Sequence, residues 1–219
     1  DVCSSDLERL HLNTELLAIS QRVGTIRASL RNGRARAQLQ ADYAVLALPA
    51  TLLRRMPITP ALPVQQHDAI ASLPYGRGTK TLLQFDHRFW RVATRPRAFG
   101  SPLAFGAGWE ANEEQRGKPG ILSLLAGGSA SDATNDIVER DGVQGLVRSL
   151  EWLGSKKAEL VAWRQARWEA DPWSRGGYAV FSSGFKPGLR GWLAQPAGKV
   201  FFAGEHTDRK STRLNSSHV

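Results

Sequence analysis

A chain of 219 residues with 42% hydrophobic residues and seven tryptophans can bury one sizeable core or parts of two, which excludes a disordered polypeptide. The formal net charge is +9, but Arg22, Arg27, Arg31, Arg34, Arg36, Arg54, Arg55, Arg164 and Arg167 are scattered; they read as a solvated surface, not a nucleic-acid-binding stripe. The single cysteine, Cys3, excludes a disulfide framework and cysteine-based metal sites, the five histidines lack metal-ligand spacing, and no apolar run approaches membrane-spanning length.

In chain order, Leu16 to Ile19 is a short apolar strand. Thr25 to Leu30 alternates, Asn32-Gly33 supplies a hairpin turn, and Arg34 to Gln40 returns the chain. Tyr43 to Leu48 is a continuous apolar run of the kind buried on both faces, bounded by Asp42 and Pro49. Pro57, Pro60 and Pro63 make an extended connector. Val64 to Leu73 is predicted as a short helix with Ala69, Ile70 and Leu73 on one side. Gly76-Arg77-Gly78 turns the chain into a strand from Thr79 to Phe85, closed by Phe89-Trp90. Gly120 to Ala126 is another buried strand. Val138 to Leu153 is the longest helical candidate, since Val138, Val143, Leu146, Val147, Leu150 and Leu153 fall near one stripe. Leu160 to Trp168 is a strand, Trp173 to Tyr178 a glycine-rich turn, and Trp192 to Phe202 leads through a proline-glycine loop into a last strand.

These elements predict an α/β chain with α+β features and a mixed sheet. No Gly-x-Gly-x-x-Gly loop occurs, so the backbone approach to a pyrophosphate that a dinucleotide site needs is missing. The two ends read differently from the middle. Asp208 to His218 can be written in the codons of a common short-read sequencing adapter, and Asp1 to Leu7 in the reverse complement of its opening bases. Residues 1–7 and 208–219 are therefore expected to be adapter-like scars and are set aside from fold reasoning. Removing them leaves the net charge unchanged, because Asp1 and Asp6 balance the excess of Arg209, Lys210 and Arg213 over Asp208.

Several residues point to chemistry. The run Phe201-Phe202-Ala203-Gly204-Glu205-His206-Thr207 takes a buried strand into a glycine, a carboxylate and small polar donors, the pattern of a strand entering a helix that cradles an anionic cofactor. Lys80 has Leu82, Leu83 and Phe85 close by in sequence, which would partly desolvate its ammonium and lower its pKa; the alternative is a surface lysine snorkelling from a strand edge. Tyr178 and Trp168 flank the Gly176-Gly177 turn. Their rings either face a cationic ligand or fill the core.

Taken in order, these pieces resemble the FAD-dependent amine oxidases: the monoamine and polyamine oxidases and the lysine-specific histone demethylase. The resemblance covers nearly all of residues 8–207. It is carried by Asp42 to Pro49, Pro60 to Pro63, Leu73-Pro74-Tyr75-Gly76, Lys80 with Phe89-Trp90, Asp171 to Tyr178 and Gly204-Glu205-His206-Thr207. It implies a fragment of the two-domain FAD amine oxidase fold that lacks the N-terminal dinucleotide loop. Residues 8–50 would be strands of the FAD domain, 51–190 mainly the mixed-sheet substrate domain, and 191–207 the return to the FAD domain.

The same resemblance implies site roles. Lys80 would be catalytic, holding a water near the reactive flavin nitrogen. Tyr178 would form one wall of an aromatic cage, with Trp168 and Trp173 in the substrate cavity. Glu205, Gly204 and Thr207 would contact the FAD, and Leu16 would meet its adenine. Lys80, Tyr178 and Glu205 should then surround one flavin. No metal is implied. The parent would be a bacterial-type monoamine oxidase, passing hydride from a small amine to FAD and then to oxygen with release of peroxide, while this chain by itself is expected to be inactive. The rival readings are another FAD oxidoreductase of the same fold, of the desaturase or protoporphyrinogen oxidase type, and a non-catalytic basic module binding nucleic acid or acidic partners.

Overall fold

The structure is a computed structural model that describes residues 9–92 and 97–208. The expectation for the adapter-like ends falls on residues outside this range, except for Asp208, whose amide donates to Glu205 at 3.3 Å. Contacts divide the chain into two units, with boundaries at Pro74/Tyr75 and Val180/Phe181.

The first unit opens with a meander. Strands β1 (Thr14–Arg22), β2 (Thr25–Asn32) and β3 (Ala35–Ala41) pair antiparallel as the alternation in Thr25 to Leu30 predicts. Gly33 turns the second hairpin with φ 56°, a conformation that glycine adopts without steric cost. Strand β4 (Ala44–Leu46) and helix α1 (Ala50–Leu53) follow, then β5 (Ile58–Thr59), which runs parallel to β1. Helix α2 (Val64–Ser72) begins after Pro63 and buries Gln66, Ala69 and Ile70, with Leu73 fully buried just beyond.

The second unit is built on a five-stranded antiparallel sheet. In chain order its elements are β6 (Tyr75–Gly76), β7 (Gly78–Phe85), β8 (Ala98–Gly100), β9 (Ala107–Glu110), β10 (Gly120–Gly127), α3 (Ser129–Asp141), α4 (Val143–Ser149), β11 (Leu160–Arg167) and β12 (Tyr178–Ala179). The sheet order is β11-β7-β10-β9-β8, and β12 pairs separately with β6. Leu83, Phe85, Trp90, Phe105, Leu122, Leu124, Leu150 and Leu153 form its core. A buried polar cluster ties the sheet to α3: Thr79 Oγ1 lies 2.7 Å from Ser131 Oγ and donates to Asn135 Oδ1 at 3.1 Å.

The chain then returns to the first unit. A 3₁₀ segment over Pro187–Ala194 packs against α2, where the Gln66 amide donates to the Gln195 carbonyl at 2.6 Å. Strand β13 (Val200–Phe202) pairs parallel with β4, and a 3₁₀ turn over Glu205–Thr207 follows. No helix among the described residues is long and apolar enough to cross a membrane.

Two expectations need correction. The run Tyr43 to Leu48 is not a strand buried on both faces: only Ala44–Leu46 is strand, and Val45 is 65% exposed while Leu46 is 4% exposed. A two-stranded ribbon with β13 alone covers one face, so the side chains alternate. The helix expected over 138–153 starts earlier and is broken. Gly142 ends α3 and precedes α4 with φ 67° and ψ −176°, which is not helical and is nearly confined to glycine. The apolar stripe survives the break because α3 and α4 both pack on the same unit, with Leu146 and Leu150 fully buried.

Candidate active-site face

The sheet of the second unit has two distinct faces. On β7, Thr79, Thr81, Leu83 and Phe85 are buried on the side of α3, as the bonds of Thr79 to Ser131 and Asn135 require. Lys80, Leu82 and Gln84 point to the other side and are half-buried. This corrects the sequence argument for Lys80: Leu83 and Phe85 lie on the opposite face, and Leu82 is the apolar neighbour of β7 that shares its side.

Register fixes what else shares that side. Lys80 stands opposite Leu125 of β10 and Ala166 of β11; Leu82 stands opposite Ser123 and Arg164; and Trp109 of β9 stands opposite Ser123. The ammonium of Lys80 lies 5.0 Å from the centroid of the Trp109 ring, reaching diagonally across β10. Ser123 is fully buried between its neighbours, and its hydroxyl has no hydrogen-bond partner among the described residues.

At one end of this face the strands run into glycine. Gly78 of β7 is in register with Gly127 of β10, and the amide of Trp168 donates to the Gly78 carbonyl at 3.0 Å. A Cβ at Gly78 would stand 3.1 Å from Cε3 of Trp168, so the indole lies over that glycine on the Lys80 side. A Cβ at Gly76 would stand 2.8 Å from Cε2 of Tyr178, and one at Gly127 would stand 2.9 Å from the Tyr178 hydroxyl oxygen. Because side chains alternate along β10, the direction of a Cβ at Gly127 is that of Leu125, and Leu125 pairs with Lys80. The Tyr178 hydroxyl therefore lies on the Lys80 face, two residues along the strand, roughly 7 Å by strand rise.

The structure thus brings Lys80, Tyr178 and Trp168 to one side of one sheet. Trp173 is 61% exposed in a tight turn where the Ser174 hydroxyl donates to the Asp171 carboxylate and the Arg175 amide to the Asp171 carbonyl. Sequence reasoning missed Trp109 and the glycines at 76, 78 and 127. The signal for the glycines was their spacing: residues at 76 and 78 fall on the side of Lys80, where large rings need bare backbone.

The Gly204-Glu205-His206-Thr207 stretch belongs to the first unit. Gly204 has φ 123°, and a Cβ there would press on the His206 ring at 3.2 Å. His206 is 2% exposed, and burial pushes its imidazole below the ordinary histidine range, with the Glu205 carboxylate partly opposing. Its Nε2 has no hydrogen-bond partner among the described residues. Glu205 is exposed, and the Thr207 hydroxyl donates to the Gly204 carbonyl at 2.7 Å. Among the described residues this stretch forms one 3₁₀ turn, and the helix that the sequence pattern leads into falls outside the described residues. Leu16 is half-buried in β1, opposite Leu30.

A family description, the flavin containing amine oxidoreductases, matches residues 2–214, and the chain belongs to that family. Among curated relatives, polyamine oxidase 5 of Oryza sativa subsp. japonica is 27% identical over 206 residues, covering 92% of this chain and 40% of its own length. A probable flavin-containing monoamine oxidase A of Dictyostelium discoideum is 24% identical over 201 residues, covering 90% and 43%. A putative L-amino-acid oxidase of Bacillus subtilis (strain 168) is 26% identical over 173 residues, covering 76% and 36%. Of solved structures, cyclohexylamine oxidase from Brevibacterium oxydans IH-35A superposes with TM-score 0.77 at 20% identity, and wild-type putrescine oxidase bound to putrescine with TM-score 0.77 at 21% identity. The chain spans about two fifths of the length of the relatives it matches. The fold is accordingly that of part of a flavin amine oxidase, mixed α/β as expected.

Proposed function

We propose that this chain supplies the substrate-facing sheet and one cofactor-contacting turn of an FAD-dependent oxidase that acts on a small amine. The observation that carries the reading is the gathering of Lys80, Tyr178 and Trp168 on one sheet face, with glycines at 76, 78 and 127 leaving room for the rings. A flavin held beside this face would supply the acceptor for the hydride that leaves the carbon bearing the amine nitrogen, with oxygen as the later acceptor of the two electrons. The residues here bind and orient. The ring faces of Tyr178 and Trp168 attract the cationic amine and limit its rotation. Lys80 donates to a water held on the same face.

The flavin fits the residues of the first unit at one clear point: the exposed Glu205 carboxylate, beside a backbone that Gly204 turns sharply, can accept from hydroxyl groups of the ribityl chain. Gly204 and Thr207 shape that turn, since Thr207 bonds back to the Gly204 carbonyl. Leu16 is assigned to the adenine by family resemblance alone. The monoamine reading over the polyamine one draws on charge. The face carries two cations, Lys80 and Arg164, and its register positions contain no carboxylate to receive a second ammonium. Arg164 supports a second reading, an amino acid whose carboxylate pairs with it, in keeping with the L-amino-acid oxidases among the relatives.

The test is flavin bleaching under anaerobic conditions, followed by peroxide release on admitting air. It is run on the longer polypeptide in which this segment is joined to a dinucleotide-binding loop. Primary monoamines, diamines and L-amino acids form the panel. A monoamine should bleach the flavin fastest; preference for an L-amino acid that is lost in Arg164→Gln would favour the second reading, and no bleaching with any amine would overturn both.

A further inference from the structure

We infer that Trp109 is the positioning residue for Lys80: its indole face holds the Lys80 ammonium above β10, where the proposed function needs a fixed cation. The inference deepens that reading and depends on it for its purpose, though not for the contact itself.

The geometry is specific. Lys80 and Trp109 lie on strands separated by β10, and the two side chains meet over that strand with the ammonium 5.0 Å from the ring centroid. A lysine stem is long enough to reach bulk water, so something must retain it. No carboxylate does. On this face the charged neighbour is Arg164, opposite Leu82, and it repels. Glu110 follows Trp109 in β9 but points to the other side, where Arg88, Arg91 and Trp90 donate to it. Glu169 accepts from the Gly78 amide and the Asn135 amide, and Asp132 pairs with Arg77. Among the described residues Lys80 has no ion pair, and the Trp109 ring is its recorded partner.

Trp109 stands opposite Ser123, whose hydroxyl is fully buried and without a partner among the described residues. Leaving a buried hydroxyl unsatisfied is costly, so Ser123 marks a closely packed spot beneath this contact. A ring face attracts an ammonium without accepting a conventional hydrogen bond in line, so the N–H donors directed away from the ring stay available for a water. A carboxylate in the same place would occupy them.

The experiment uses the 219-residue chain labelled with 5-fluorotryptophan, and needs no flavin. Trp109→Phe removes one fluorine resonance and so assigns Trp109, while the other six report that the fold is intact. Lys80→Met should shift the Trp109 resonance, because it removes the ammonium that rests on the ring. Lysine ε-CH₂ resonances give the converse view: the Lys80 signals should carry a ring-current shift that Trp109→Leu abolishes and Trp109→Phe largely retains. A Trp109 resonance indifferent to Lys80→Met overturns the inference, as do Lys80 ε-CH₂ resonances that are the same in both Trp109 variants. Should Trp109→Leu fail to fold, the Lys80→Met spectrum decides alone. The contact found in a protein whose flavin-loaded form ignores amines would sink the function and keep the contact; an active oxidase without the contact would do the reverse.

Discussion

The ring of Tyr178 occupies the space that a side chain at Gly76 would fill, with Cε2 only 2.8 Å from where the Cβ would stand. The two residues are direct partners across β6 and β12, so neither can move without opening that ribbon. Gly76→Ala should therefore overpack the site and destabilise the unit by about 1–3 kcal/mol. Removing the ring should relieve the clash: Gly76→Ala in a Tyr178→Ala background should cost clearly less than in the wild type. Urea denaturation of the four proteins measures the coupling, and strict additivity would place the Tyr178 ring elsewhere.

Glu110 is the other fixed point of the second unit. Its side chain is fully buried and accepts from Trp90 Nε1 at 2.9 Å, Arg88 Nε at 2.8 Å and two nitrogens of Arg91 at 2.8 and 2.7 Å. Burial by itself would raise its pKa, but the donors from Arg91, Trp90 and Arg88 outweigh it and hold the carboxyl below the usual range. A lowered carboxyl pKa gives stability that is present above the unfolded value and is lost as pH falls through the folded one. Glu110→Gln should lose about 3 kcal/mol at neutral pH, since it takes the carboxylate from the buried Arg88 guanidinium, and it should flatten the acid limb of the stability profile. Chemical denaturation from pH 7 down to about 3 reads both effects. His206 acts with the same sign at higher pH in the first unit: its depressed pKa means that protonation opposes burial, so stability falls as pH drops below the unfolded histidine value.

Much of the fold was legible because its strands carry the signals strands need. The Asn32-Gly33 turn, the alternation in Thr25 to Leu30 and the apolar run in Gly120 to Ala126 all lie where β2, β3 and β10 form. The long helix was misread because the stripe from Val138 to Leu153 continues through Gly142, and a helical projection does not register a backbone reversal. The same projection hid the start of α3, whose first turns carry Ser131, Thr134 and Asn135 as buried residues in place of apolar ones. The face of Lys80 was misread for a related reason: proximity in sequence counted Leu83 and Phe85 as neighbours, when a strand sends them to the other side. Trp109 was not legible at all, since its contact with Lys80 spans three strands. Gly142→Ala should cost about 1–3 kcal/mol by forcing a side chain into a conformation that only glycine adopts freely, whereas Gly188→Ala, with open space around it, should be near neutral.

Val45 and Phe201 stand opposite each other on β4 and β13, 65% and 39% exposed, with Tyr43 packed against Phe201 at 6.0 Å between ring centroids. Leu46, next to Val45 in the alternation, is 4% exposed. An exposed apolar ribbon of this kind promotes association and binds environment-sensitive dyes. Val45→Lys should reduce dye fluorescence and raise the soluble fraction without lowering stability. Leu46→Lys should do the opposite, unfolding the unit because its side chain is in the core. Equal behaviour of the two variants would contradict the alternation across this ribbon.

Lys80→Met distinguishes a working cation from a surface one. The substitution keeps a similar apolar stem, removes the ammonium and leaves the glycine-lined places of Tyr178 and Trp168 untouched. In the flavin-loaded longer polypeptide the cofactor should remain bound, because Lys80 is not among the residues assigned to hold it. Amine turnover or flavin reoxidation should slow about tenfold or more, a loss typical of removing a positioned proton-handling group. Stopped-flow measurements should separate the two half-reactions: slower bleaching would place the role of Lys80 in amine oxidation, slower recovery in air would place it in the oxygen step. Bleaching and reoxidation rates that match in the two proteins would make Lys80 an ordinary solvated lysine that happens to rest on Trp109.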